Sequence, residues 1–212
     1  MKIGILGTGN VGRTLAARLV ELGHDVVIGT RDVAATEAKA EAEFPAPLRT
    51  APEAAAHAEL VINATGGQVS VAALQGAGAE NLAGKVIIDV SNPLDFSNGF
   101  PPHLAVCNTD SVGEQIQRAF PDARVVKTLN TVNAEIMAYP AKLADGDHTI
   151  FVSGDDADAK ATVTQLLREF GWLDIVDVGD ITTARGTEMM IIQWVRLMGP
   201  LGTLAFNYKL VR

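Results

Sequence analysis

Cysteine is almost missing. Cys107 stands alone in 212 residues, which excludes an intramolecular disulfide and any metal site built from cysteine only. A reducing cytoplasm is the simplest compartment for such a chain. Positive charge is scarce too: 17 Lys and Arg stand against 25 Asp and Glu, for a net charge of −8. That balance leaves no broad basic surface for nucleic acid or an anionic membrane. Any anionic ligand must be held by local groups. No long hydrophobic run opens the chain, since Ile3-Gly4-Ile5-Leu6 is too short for a secretion signal. The most lipid-like stretch, 189–206, is interrupted by Gln193 and Arg196 and contains Pro200. Charge at mid-span is costly in hydrocarbon, so no membrane span is expected. A helix buried against a partner subunit accounts better for the same residues. Internal repeats and low-complexity tracts are absent, although 51–58 is alanine-rich.

What the chain does have is regular alternation. Apolar residues make up 48% and charged residues 20%, ordinary values for a chain that buries a core. Apolar runs rich in Val and Ile occupy 2–7, 25–29, 60–64, 85–90, 124–129, 148–153 and 173–178. They are mostly continuous, as strands covered on both faces are. Helical patterns fill 11–22, 34–43, 69–74, 113–119, 134–143 and 157–170. Asp155 or Asp156 can cap the last of these, whose apolar stripe is Leu166, Leu167 and Phe170. This order predicts an α/β fold: a Rossmann-type, doubly wound, mostly parallel sheet joined by right-handed crossovers. Asn92-Pro93 and Pro101-Pro102 punctuate 91–110, which reads as a long loop beside the sheet's C-terminal edge. The expected organisation is a Rossmann domain over 1–180 and a short apolar helical appendage over 181–212.

The first strand run ends in Gly7-Thr8-Gly9-Asn10-Val11-Gly12 and passes into an amphipathic helix through Leu15, Ala16 and Leu19. In a dinucleotide-binding βαβ unit the first glycine of G-x-G-x-x-G makes the turn. The second lets backbone approach the pyrophosphate, and the third lets helix pack close to strand. The helix N-terminus supplies free N–H groups and partial positive charge. An acidic protein can hold a polyanion this way.

The second strand ends in Gly29-Thr30-Arg31-Asp32. NAD-binding folds place a carboxylate at this strand end for the ribose hydroxyls, where a 2′-phosphate would meet a like charge. Thr30 offers a hydroxyl instead, and Arg31 a planar cation suited to phosphate. The reading is NADP(H). Asp32 leaves two alternatives: ribose acceptor, with Arg31 in solvent, or cap of the helix that begins near Ala34.

Ligands of open α/β sheets lie outside the C-terminal strand ends. Those ends read Asn63-Ala64-Thr65-Gly66-Gly67, Ser91-Asn92-Pro93-Leu94 and Asn130-Thr131-Val132-Asn133. Small polar groups gather there without charge, which makes Ala64, Thr65, Ser91 and Asn92 candidates for cofactor contact. Asn130, Thr131 and Asn133 are candidates for positioning the reacting partners. Of the four histidines, only His103 in the long loop is placed to act on a substrate; His24, His57 and His148 read as structural. Lys127 lies inside a strand and reads as an anchor. An alcohol dehydrogenase needs a group to take the hydroxyl proton. Hydride transfer between two redox cofactors needs mainly positioning and exclusion of water, and the lack of an obvious base favours it.

Over nearly its whole length the sequence resembles the NADPH-dependent oxidoreductases of the deazaflavin coenzyme F420. The carriers are Ile5-Leu6-Gly7-Thr8-Gly9-Asn10-Val11-Gly12, Val27-Ile28-Gly29-Thr30-Arg31, Val125-Val126-Lys127-Thr128-Leu129-Asn130-Thr131, Gly154-Asp155-Asp156 and the closing apolar helix. The resemblance implies that Thr8, Asn10, Thr30 and Arg31 contact NADP. It implies that 130–133 and the C-terminal tail wall the deazaflavin pocket, and that the last helix packs across a homodimer interface. Where those reductases carry histidine and proline, this chain has Asn130 and Asn133. The same module also resembles the reductase domain of membrane ferric reductases, whose acceptor is a flavin. Two other readings remain: a small NADPH-dependent carbonyl or imine reductase using His103 or a water as proton donor, and a non-enzymatic NADP(H)-binding redox sensor.

Overall fold

The computed structural model describes all 212 residues. The first strand, β1 (Lys2–Leu6), is buried from Ile3 onward, as its continuous apolar run requires. Parallel neighbours cover both its edges: β2 (Asp25–Thr30) on one side and β4 (Leu60–Asn63) on the other. Beyond β2 lies β3 (Leu48–Thr50), and beyond β4 lie β5 (Val86–Asp89), β8 (Arg124–Thr128), β9 (Thr149–Gly154) and β10 (Asp174–Gly179). The sheet order is β10-β9-β8-β5-β4-β1-β2-β3. The order reverses between β1 and β4, which opens a crevice above Gly7 and Ala64. The remaining strands, β6 (Leu94–Asp95) and β7 (His103–Leu104), form a separate antiparallel ribbon.

Helices cover both faces. On one, α1 (Asn10–Glu21) and α8 (Ala157–Phe170) bring Leu15, Leu19, Val163 and Phe170 onto Ile3, Ile5 and Val126. On the other, α3 (Ala51–His57), α4 (Ser70–Ala77), α5 (Ala79–Leu82) and α6 (Val112–Ala119) bring Ala54, Leu74, Leu82 and Ile116 onto Leu6, Val61 and Ile87. Small α2 (Val33–Ala38) buries none of its residues, whereas small α7 (Ala134–Ala138) packs Ile136, Met137 and Ala138 into the same core as α1 and α8. The closing helix, α9 (Ala184–Leu201), brings its own cluster of Ile191, Trp194 and Val195. No helix is long and apolar enough to cross a membrane.

The doubly wound sheet is as expected, with four differences of detail. First, β9 runs antiparallel to β8; no full crossover helix separates them, because α7 stops at Tyr139 before Pro140 and short 3₁₀ turns follow. The chain therefore re-enters the sheet from the ligand end. Second, α2 ends at Ala38 and not at Glu43. Third, the 91–110 stretch is partly ordered by the β6–β7 ribbon. Fourth, the alanine-rich stretch is a true helix: Thr50 and Glu53 form a reciprocal capping box, with Pro52 in the first turn.

Candidate functional site

The glycine turn has the geometry its spacing predicts. Gly7 has φ +126°, and a Cβ there would stand 2.5 Å from the Ala64 carbonyl oxygen. A Cβ on Gly12 would stand 2.1 Å from the Gly7 oxygen, so this glycine sets how closely α1 approaches β1. Gly9 faces open space, with nothing within 4 Å of its Cβ position. No side chain caps α1 and no acid occupies its first turn. The helix N-terminus is thus left for an anion, and a pyrophosphate fits it.

Beside this turn a cleft of about 780 Å³ opens at the end of β2, lined among others by Thr8, Asn10, Thr30 and Arg31. Its charged groups are Arg13, Arg31 and Lys39 against Asp32 and Glu41, a local cationic excess on a chain of net −8. Asp32 is the cap of α2, accepting from the Ala35 N–H at 2.9 Å. Thr36 donates to the Asp32 carbonyl at 2.6 Å and lies 2.7 Å from the Thr30 hydroxyl. Thr30 therefore spends its proton on Thr36. Arg31 is exposed and bonds to nothing in the protein, which leaves it free for a phosphate. Arg13, which the sequence did not single out, holds the far wall. It donates to the Ala42 and Glu43 carbonyls, both at 2.9 Å, with its guanidinium 4.2 Å over the Phe44 ring.

The second space, about 470 Å³, lies in the crevice itself and unites Val11, Ala64, Thr65, Ser91, Asn92, Asn130 and Asn133 with Ile191 and Trp194 from α9. None of its lining residues is ionisable. Asn92 and Asn130 bond reciprocally: Asn92 Nδ2 donates to the Asn130 carbonyl at 2.8 Å, and Asn130 Nδ2 donates to Asn92 Oδ1 at 3.0 Å. Asn130 also donates to the Thr187 carbonyl of α9 at 3.1 Å. It is delivered by Leu129, which sits at φ +62°, a left-handed conformation that costs a branched residue about 1–2 kcal/mol. Asn133 is fully employed, capping α7 through Ile136 N–H and donating to the Leu204 carbonyl of the C-terminal tail. Phe206 of the same tail stacks on Trp194 with centroids 5.1 Å apart. Thr131 does not line the crevice; it is buried with its hydroxyl unpartnered. Ser91 Oγ and Trp194 Nε1 are also buried without partners.

His103 is half exposed on the ribbon, 3.2 Å from Asp95, and does not line the crevice. This removes it as a proton donor in this conformation. His24 meets Glu169 at 3.1 Å, His57 lies 3.3 Å from Asp25, and His148 meets the Pro140 carbonyl at 3.0 Å, structural roles as expected.

Beneath the crevice lies a closed charge cluster. Lys127 Nζ sits 2.7 Å from Asp89, 2.8 Å from Glu188 and 2.6 Å from the Ser91 carbonyl, with all three side chains buried. Burial pulls the Lys127 ammonium down, but the two carboxylates outweigh it and the pKa is raised. Asp89 also accepts from Asn63 Nδ2 at 2.8 Å and from the Ser91 N–H at 3.1 Å. Asn63 in turn accepts from the Thr65 hydroxyl at 2.7 Å. The anchoring role expected for Lys127 is confirmed. Its carboxylate partners carry one sequence signal each: Asp89 ends an apolar strand run, and Glu188 is the one acidic residue of α9.

The geometry joins a phosphate-binding turn, a cationic cleft and an uncharged crevice. Residues 2–93 match a family described as NADP oxidoreductase, coenzyme F420-dependent. The F420-dependent NADP reductase of Methanothermobacter marburgensis is 30% identical over 200 residues, 89% of this chain and 88% of that protein. The chain belongs to the F420-dependent NADP oxidoreductase family. A crystal structure from Arthrobacter sp. FB24, described as a candidate F420-dependent NADP reductase, shares 58% identity and a TM-score of 0.98 over the full length of both chains. The rat metalloreductase STEAP3 is 33% identical over 191 residues, 88% of this chain but 36% of its own length. The family's Rossmann core is therefore also found in a much longer protein.

Proposed function

We propose that the protein transfers a hydride between NADP(H) and a deazaflavin of the F420 type, ring to ring, in the crevice between β1 and β4. The observation that carries this reading is the absence of any ionisable side chain among the crevice-lining residues. A carbonyl or imine substrate needs a proton delivered at the reacting atom, whereas two redox cofactors need positioning and a dry site. When bound, the nicotinamide and the deazaflavin supply the redox chemistry; the chain's own residues hold and shield them.

The α1 N-terminus and the open Gly9 suit the pyrophosphate, and Arg31 suits the 2′-phosphate. The Asn92–Asn130 pair, with Thr65 and Ser91, forms the polar ledge on which a nicotinamide would lie. Val132, Met137, Ile191 and Trp194 form an apolar wall facing it, suited to a flat tricyclic ring. The outer face of α9 exposes Met189 and Leu201, and we assign it to a homodimer contact, tested by sedimentation mass.

The deciding experiment mixes the protein with NADPH and oxidised F420 and follows the visible absorbance of the deazaflavin, with NADH in parallel. Bleaching with NADPH and little with NADH supports the reading. No bleaching while NADPH still binds would sink it. FMN is the second acceptor to try, because the likeness to STEAP3 spans 88% of this chain.

A further inference from the structure

Glu188 lies on α9, three residues before Ile191 and six before Trp194, yet it does not line the crevice. Its carboxylate receives Lys127 at 2.8 Å together with the backbone N–H groups of Val112 and Gly113 at 2.9 and 3.1 Å. The latter two belong to the first turn of α6, eight residues long. One side chain thus fixes α9 to a strand and to a second helix at once. Lys127 spends its other contacts on Asp89 and on the Ser91 carbonyl, so the same ammonium touches both sides of the crevice.

A buried cation between two carboxylates is a poor device for stability alone. Apolar residues of similar volume often serve as well or better, and setting register is the best-attested use of such a cluster. Two carboxylates against one ammonium leave a negative charge in the interior, which the two α6 amides and the positive end of that helix offset. The register imposed here is that of α9 relative to the strand ends.

Building on the hydride-transfer reading, we propose that Glu188 is a positioning residue that sets the acceptor-side wall, Ile191 and Trp194, at its distance from the polar ledge of Ser91, Asn92 and Asn130. Glu188 makes no direct contact with the ledge, which meets α9 through the Asn130 donation to the Thr187 carbonyl. Asp89 still takes the Ser91 N–H, and the two asparagines still hold each other. Loss of the Glu188 charge therefore loosens the wall first, while the Asp89–Ser91 and Asn92–Asn130 contacts keep the nicotinamide side in place.

The test compares wild type with Glu188→Gln and Glu188→Asp, using NADPH affinity, steady-state kinetics with oxidised F420 and with FMN, and iodide quenching of tryptophan. Trp172 is 1% exposed and Trp194 8%, so a gain in quenching reports Trp194. Glu188→Gln is expected to leave the NADPH Kd within about twofold. It should raise the acceptor KM about tenfold with a smaller change in kcat, and increase quenching. Glu188→Asp, which keeps the charge on a shorter arm, is expected to fall between, and carries the comparison alone if the glutamine variant does not fold. Unchanged acceptor KM, or equal losses in NADPH affinity and acceptor KM, overturns the proposal. If wild type reduces neither acceptor, the hydride-transfer reading fails, and the quenching decides the positioning role: no gain overturns it.

Discussion

At the scale of single residues, the proposed 2′-phosphate site rests on Arg31, one of three cations in the cleft at the end of β2. Arg31 has no protein partner, whereas the neighbouring Thr30 hydroxyl is spent on Thr36. Arg31→Ala should therefore weaken NADPH binding by about ten- to a hundredfold, the range for a charge-assisted contact to phosphate. NADH should change by no more than about threefold. Fluorescence titration of both nucleotides checks this, and equal losses would remove the 2′-phosphate assignment. Gly12→Ala tests the turn. A Cβ 2.1 Å from the Gly7 oxygen must push α1 off β1, so thermal stability should fall by about 1–3 kcal/mol and nucleotide affinity with it. Such residues are legible in sequence because glycine spacing and strand-end chemistry are local. Arg13 was not legible: its role depends on the 42–44 loop folding back across its guanidinium, a contact no periodicity encodes.

At the scale of elements, two helices with the same kind of cap separate stability from function. Asp156 caps α8 through Ala159 N–H at 2.7 Å, far from the crevice. Asn133 caps α7 through Ile136 N–H at 2.9 Å and also clasps the tail at Leu204. Alanine at either position should cost about 1 kcal/mol, the usual worth of a cap, measured by denaturant unfolding. Only Asn133→Ala should also raise the acceptor KM; if Asp156→Ala does the same, the tail is not the link. The long strand and helix runs were readable because a 3.6-residue or continuous apolar pattern repeats several times within each. Short β3 and the two-residue strands of the ribbon were not, since each is fixed by a neighbour and not by its own pattern, whereas the early end of α7 carries a local signal in Pro140. The alanine-rich α3 did carry a local signal in Thr50, Pro52 and Glu53.

At the scale of the whole molecule, charge pairs tie distant parts of an acidic chain together. Asp174 accepts from the Thr149 hydroxyl, which with Arg212 and Lys209 holds its carboxyl below the usual range. Glu114 is held low chiefly by Arg185. A depressed carboxylate contributes stability that is present above its unfolded pKa and is lost as pH falls through its folded value. Melting temperature should thus fall on acidification through and below the ordinary carboxylate range. The gap between wild type and Asp174→Asn should be widest near neutrality and close in acid; a constant gap would show that Asp174 acts by packing. Lys127 has the opposite sign: raised above its ordinary value, it contributes stability that persists through neutral pH and is lost only as pH rises through that raised value.

The reversal of β9 bears on how mutations should map onto this sheet. In β1, β2, β4, β5 and β8 the ligand end is the strand's last residue, so substitutions at strand openings should read as stability alone. In β9 and its parallel partner β10 the polarity is inverted. Opening residues Thr149 and Asp174, which receive the tail through Leu210 N–H, Lys209 and Arg212, lie at the ligand end of the sheet but outside the crevice lining. A saturation scan scored for acceptor turnover should therefore light up at the ends of these five strands and, where the polarity is inverted, at strand beginnings, so that the direction of the chain is visible in the phenotype.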